Sequence, residues 1–519
     1  MSQWLNRIAG VATLLAASTS IGAGQPRSVT DVDATIARGE RLVSTDHLEE
    51  AAAIATKALT LQPESARAHY LLGLVYDRQR NFDAAITEYR AALARSPRLA
   101  EAHDRLGFVL GVQGHLDEAI AEFETAIAIR PAFFDAQYHL GATLWWTKQV
   151  DRARAVLGRA VALRPTHAEA RYYLAVAERQ QGQLDAAIRD LRIALRYAPK
   201  LAPAHTQLGT ALQAAGDLDE AIDEFRRALA IDPSLSDAGN SLGLALMQRG
   251  DADEAIVTLR AVLERQPDHA EARLNLGTAL MQKGDLAGAT SEYRELTRRD
   301  PTNAEGYYDL GLALKQQDDF DGAEHALRIA LRLDAALPEA PYTLGVVLWQ
   351  TGRAEEAAAL FTDALTRRAG YADAHYMLGT IFKQQGDVDR ALAEFHETIR
   401  INPGSAEAHT SLGQILQTRR DVEGASAAFA EAERLNKKKA DGQAAVFAVN
   451  AGLERLKQKD LAAAIARFRE AVRLDDGNAQ AHLQLGLALR RSGALAESRS
   501  ELQVARRLAP HLKPPDPVP

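Results

Sequence analysis

The apolar positions of this chain fall into register with one another. Leucine-glycine pairs stand at 72–73, 106–107, 140–141, 208–209, 242–243, 276–277, 310–311, 344–345, 378–379 and 412–413. The glycines keep a strict 34-residue period, and Ala175 fills the one missing slot. An alanine follows twelve residues after each, from Ala85 and Ala119 through to Ala425. A proline follows twelve further on, from Pro97 to Pro301 and again at Pro403. With the glycine as position 8, units begin at 32 and at every 34th residue up to 406. The stretch NKKKADGQA then inserts five residues, 440–444, and two more units begin at 445 and 479, making fourteen in all.

At about 100° per residue, positions 4, 7, 8 and 11 share one face of a first helix. Leucine at 7 is the expected buried knob, while glycine at 8 and alanine at 20 let two helices approach closely. Stretches such as GDLDEA (216–221) and GDADEA (250–255) set glycine at a helix end. They also predict capping boxes, Asp217 with Glu220 and Asp251 with Glu254. Proline at 32 ends the second helix and turns the chain into the next unit. The fold predicted is an all-α solenoid of about fourteen helix-turn-helix repeats, stabilised by local interfaces between neighbours.

Leucine at 7, glycine at 8, alanine at 20, a Phe, Tyr or Leu at 24, alanine at 27 and proline at 32 together resemble the tetratricopeptide repeat. The resemblance covers residues 32–512. It implies antiparallel helix pairs stacked into a right-handed superhelix with a concave groove.

End units are expected to deviate, because one of their faces has no neighbour. Arg38 stands where leucine belongs in the first unit, and Ser498 replaces alanine in the last. Residues 513–519 form a proline-rich tail. Residues 1–24 read as a signal peptide: Arg7 precedes an apolar run at 8–17, and small residues offer a cleavage site after Ala23 or Gly24. A short linker, 25–31, then leads into twelve in-phase units at 32–439 and two more at 445–512. Export to the periplasm or beyond is therefore expected, with a cytoplasmic location as the alternative if the segment is not a signal. No other stretch is long and apolar enough to span a membrane.

Composition removes several chemistries. A net charge of -8 and the absence of a basic stripe argue against nucleic acid, and with no cysteine there are no disulfides or thiolate sites. No phosphate loop, HExxH, GxSxG or Asp-rich calcium loop occurs, so neither an enzyme nor a cofactor is expected. His69, His103, His205, His375, His409 and His482 all occupy position 4. They read as fillers of a packing face, since no carboxylate partner stands at metal-ligand spacing. Acidic residues at position 2, such as Glu101, Asp135 and Glu169, complement the dipole of the first helix. The sharper reading makes them an acidic rail along the groove.

Positions 2, 5, 9, 12 and 13 point away from the packing face, and the resemblance implies that they line the groove. Two aromatic clusters occupy them. One is Tyr70, Phe108, Tyr138, Trp145, Trp146 and Tyr172; the other is Tyr308, Tyr342, Trp349 and Tyr376. Exposed aromatics of this kind are the usual anchors of an interface. An asparagine ladder at position 6, which grips peptide backbone in some arrays of this family, is reduced here to Asn275 and Asn450. In the unit from 445, Val446, Val449, Leu453 and Leu456 make an apolar stripe, either a slip of register or a second contact surface. The function expected is a non-catalytic scaffold that binds partner proteins or extended peptides. The alternatives are a glycan-binding protein of polysaccharide export and a cytoplasmic adaptor or assembly chaperone.

Overall fold

The computed structural model describes residues 30–509. The signal segment, most of the linker and the proline-rich tail lie outside the described residues. All regular structure among the described residues is α-helical. The described residues form two compact units, divided between Asp285 and Leu286.

In the first unit each repeat is a helix pair such as Ala202–Ala215 with Leu218–Ile231. A residue with positive φ at position 15 makes the turn. Gly216 and Gly250 hold it at 87° and 97°, where a Cβ would be disfavoured. Alanine, leucine and the short aromatics then close the pair. A Cβ on Gly209 would come within 2.7 Å of the Phe225 ring, and one on Gly73 within 2.6 Å of Tyr89. That contact explains why position 8 is glycine opposite every aromatic residue at 24. First helices of successive repeats touch one another, whereas second helices make no comparable contact, so the first helices lie on the inner side of the stack.

The capping boxes predicted at Asp217 and Asp251 do not form as side-chain caps, although both residues occupy the N-cap position. Asp251 meets the Arg249 guanidinium instead. Side-chain caps do form from Asn81, Asp319, Asp387 and Asp460.

The second unit repeats this pattern from Leu286 as far as the twelfth repeat, and there the stack is interrupted. The nine residues between the second helix of that repeat and the first helix of the next stay helical, giving one 36-residue helix, Val422–Lys457. The repeat register nevertheless holds on the far side, because Gly452 lies against the ring of Phe468 as position 8 lies against position 24 elsewhere. What changes is the face each repeat presents to its neighbour. Position 28 is apolar or threonine in the first eleven repeats, but Glu433 in the twelfth and Arg506 in the last. Position 17 is half-buried in the other repeats but exposed at Val422 (77%) and Leu495 (53%). The twelfth repeat is thus built like a terminal one.

The thirteenth is built like a first one. Positions 3, 7 and 10 are occupied in interior repeats by a small residue, leucine, and a small or β-branched residue, almost all buried. In the thirteenth they are Phe447, Ala451 and Glu454, all exposed, as Ala34, Arg38 and Arg41 are in the first repeat. The last repeat closes with Ser498, which is buried and donates its hydroxyl to the Gly486 carbonyl at 2.7 Å.

Candidate functional site: the inner faces of the first helices

Aromatic residues gather on the inner side of repeats three to five. Trp145 and Trp146 are both half-buried, with ring centroids 6.4 Å apart and planes at 61°. Trp145 also lies 5.5 Å from Tyr173, which in turn lies 6.2 Å from Tyr138 and 5.1 Å from Tyr172. Phe108 stands 5.3 Å from the His139 ring, and Tyr138 5.5 Å from it. Tyr70, one repeat earlier, is half-buried and packs on Tyr89 at 5.9 Å.

The sequence placed Tyr70, Phe108, Tyr138, Trp145, Trp146 and Tyr172 on the open face and missed Tyr173, which stands at position 6. Tyr138 and Tyr172 are instead buried, at 7% and 8% exposure, because position 5 of one first helix packs on position 6 of the next. The same relation, 35 residues apart, joins buried Asp104 to His139 Nδ1 at 2.8 Å, Asn240 to Asn275 at 2.8 Å and Tyr308 to Thr343 at 3.4 Å. The inner surface is therefore a ladder of polar and aromatic contacts, with Phe108, Trp145 and Trp146 half-exposed upon it. Burial raises the Tyr138 phenol well above its ordinary range.

Two features leave polar groups without partners there. The Trp145 indole N–H is buried and has no acceptor. Glu178 replaces the leucine usual at position 11, is 8% exposed, and has one carboxylate oxygen without a hydrogen bond. Burial pushes its carboxyl up to about 7, opposed by Arg154, Arg189 and Arg171. Arg154 likewise stands where the second helices of neighbouring repeats carry isoleucine, as at Ile120, Ile188 and Ile222.

In the second unit the inner face of repeats nine to eleven carries Tyr308, Tyr342, Trp349 and Tyr376, all half-buried. Tyr342 packs 4.7 Å from Tyr371, which sequence reasoning missed because it lies in a turn, and Tyr376 lies 5.8 Å from Phe395. On the same helices burial, with Glu305 nearby, pushes the Asp309 carboxyl up to about 7, and burial lowers the Lys315 ammonium.

The apolar stripe predicted from 445 divides. Val449 is buried in the core of the last two repeats, Leu453 and Leu456 pack partly against that core, and of the four only Val446 is exposed. Val449, at position 5, turns inward as Ile36 does in the first repeat. Leu453 and Leu456, with Asn450, Glu454 and Lys457, border an open groove of about 620 Å³.

The position-4 histidines are more than fillers. His69, His103, His205, His375 and His482 each set Nδ1 2.5–2.7 Å from a glutamate nineteen residues on: Glu88, Glu122, Glu224, Glu394 and Glu501. Each sets Nε2 2.9–3.3 Å from a backbone carbonyl six residues back. Arg171 does the same work with Asp190 and the Pro165 carbonyl. The signal was in the chain. Seven repeats pair a base at position 4 with an acid at 23, six have neither pattern, and only His409, opposite Ala428, departs. Among the described residues no group of side chains is arranged to hold a metal ion. Of the position-2 acids, Glu101 and Asp135 pair with Arg130 and Arg164 at 2.7 and 3.2 Å.

Comparison with known families agrees with this architecture. Models described as tetratricopeptide repeat match residues 36–100, 113–178, 177–236 and 449–512. A model described as the C-terminal domain of cilia and flagella-associated protein 70 matches 234–451. No curated protein sequence matches. Among solved structures, MamA is similar at 29% identity over 32% of this chain and 96% of its own, with a TM-score of 0.31. YrrB, described as a TPR protein with an unusual peptide-binding site, is 22% identical over 36% of this chain and 95% of its own, with a TM-score of 0.33. A tetratricopeptide repeat protein of Parabacteroides merdae is 17% identical over 48% of this chain and 99% of its own, with a TM-score of 0.40.

Proposed function

We propose that this chain, which belongs to the tetratricopeptide repeat family, is an exported, non-catalytic scaffold that holds an extended segment of a partner protein against its first helices. Protein–protein interaction is the general business of such arrays. The observation that supports this site is the Trp145–Trp146 pair. Two adjacent indoles stay partly exposed on the inner face of the fourth repeat, and one indole N–H has no acceptor. A buried donor left unpaired costs about 1–3 kcal/mol, which a small turn of the indole toward a ligand carbonyl would recover. Trp349, half-exposed in the second unit, is the corresponding anchor there. Export rests on residues 1–24. No helix among the described residues is long and apolar enough to cross a membrane.

The test is cross-linking of the native protein in its cell with mass-spectrometric identification of the partner, followed by binding of that partner to Trp145→Ala, Trp146→Ala and Trp349→Ala variants. Each indole is expected to contribute about 2 kcal/mol, roughly thirtyfold in affinity. Unchanged binding by the triple variant, with helical circular dichroism intact, would sink the proposal. A response of tryptophan fluorescence to polysaccharide but not to peptide would favour the glycan-binding alternative.

A further inference from the structure

The interruption at Val422–Lys457 leaves a helix face that every other interior repeat covers. In place of the small residue at position 3, Phe447 stands 75% exposed, with Val446 beside it at 52%. A preceding second helix could not lie there as it does elsewhere. In the ninth repeat the same position is Gly306, already within 2.8 Å of Leu296 from the repeat before it for an added Cβ. The first repeat presents Ala34, Arg38 and Arg41 on this face, small and charged residues of the kind a solubilising cap needs. The thirteenth repeat presents a phenylalanine and a valine instead.

The surroundings of that pair are self-complementary. Lys439 and Glu454 are both exposed and lie fifteen residues apart, about 22 Å along the helix. The point midway between them falls between Val446 and Phe447. Spacings of three and four residues place Lys439, Gln443, Val446, Asn450 and Glu454 along one stripe. Two such helices run antiparallel about that midpoint would set Lys439 of each opposite Glu454 of the other. The apolar pair would meet itself at the centre. A two-fold interface demands this reciprocity, residue i on j and j on i.

We propose that this face is the dimer interface of the protein, formed by antiparallel pairing of residues 439–454 with the same segment of a second copy. Phe447 and Val446 form the desolvated centre, and the two Lys439–Glu454 pairs set the register at the rim. The pairing uses only side chains that no other part of the chain buries.

Sedimentation equilibrium of the full chain tests this directly. The unmodified protein is expected to be a dimer and Phe447→Asp a monomer, its association weakened roughly a hundredfold or more. Lys439→Glu and Glu454→Lys should each weaken pairing about tenfold, and the double exchange should restore it. A monomeric wild type, a dimer indifferent to Phe447→Asp, or a double exchange no better than the single ones would overturn the proposal. A monomeric wild type would leave the face to a different protein. Because the chain has no cysteine, Val446→Cys offers a second readout. It should form a disulfide-linked dimer on mild oxidation, since the partner residue lies within bridging reach. Val257→Cys, 67% exposed elsewhere, should not. Equal cross-linking of both variants would count against the interface.

Discussion

His205 Nδ1 lies 2.5 Å from Glu224 Oε2 on the facing helix of its repeat, while its Nε2 lies 2.9 Å from the Pro199 carbonyl. Each ring nitrogen therefore has a partner, a carboxylate on one side and a backbone carbonyl on the other. The pair is buried, at 7% and 3% exposure. Glu224→Gln weakens the partner that His205 and Arg227 share and is expected to cost about 1–3 kcal/mol. Faster hydrogen exchange confined to the sixth repeat and its neighbours would verify it, and an unchanged profile would refute it.

The same clamp sets a pH dependence. Glu122 raises the His103 imidazole above its usual pKa of about 6.5. The folded protein then holds this proton more tightly than the unfolded chain does. The stabilisation is complete below about 6.5 and is lost as pH rises through the higher folded value. Thermal midpoints should fall between pH 6 and 8, and His103→Gln should flatten part of that slope. A midpoint that rose over this range, or a slope untouched by the substitution, would contradict the assignment.

Glu178 adds a second slope of the same sign. Its carboxyl is raised to about 7, so between about 4.5 and 7 the folded state binds the extra proton and stability declines as pH rises. Glu178→Leu restores the residue found at this position in most repeats. It should raise the midpoint at pH 8, by relieving a buried group worth about 1–3 kcal/mol, and do less at pH 5. Equal effects at both values would show that the carboxyl is already solvated.

Gly209→Ala should cost about 1–3 kcal/mol, because its Cβ would overlap the Phe225 ring at 2.7 Å. The fifth repeat shows the remedy, since Ala175 there coexists with Leu191. Gly209→Ala with Phe225→Leu should therefore recover most of the loss in denaturant unfolding. A double variant no better than the single one would show that backbone spacing, rather than the ring, sets the limit.

Ala440→Pro tests the continuous helix. A proline inside a helix costs about 3 kcal/mol, and here it should open the segment to trypsin at Lys437–Lys439. The unmodified helix should resist cleavage there, and equal cutting of the two proteins would argue against its continuity.

The helix pairs were legible from the chain because position 8 meets position 24 in nearly every repeat, and glycine against an aromatic is a two-letter record of that contact. The phase of the thirteenth repeat could be read the same way, from Gly452 and Phe468. Less legible were contacts between neighbouring first helices. They join position 5 to position 6 across 35 residues, so a wheel drawn for a single helix leaves Tyr138 and Tyr172 outside although both are buried. The histidine clamp escaped for a related reason. It lies between two helices of one repeat, and its mark is a correlation of positions 4 and 23 rather than any local motif. Asp217 and Asp251 carry a capping sequence yet do not cap, as Asp251 is drawn to Arg249 instead.

The unbroken helix Val422–Lys457 also makes orientation a matter of counting. A loop would absorb an added or deleted residue, but a helix converts each one into a rotation of about 100° and an advance of about 1.5 Å. The five inserted residues thus act as a phase setting, fixing the bearing of the last two repeats on the twelfth. Removing one residue would leave every repeat intact and swing the Phe447 face through more than a quarter turn.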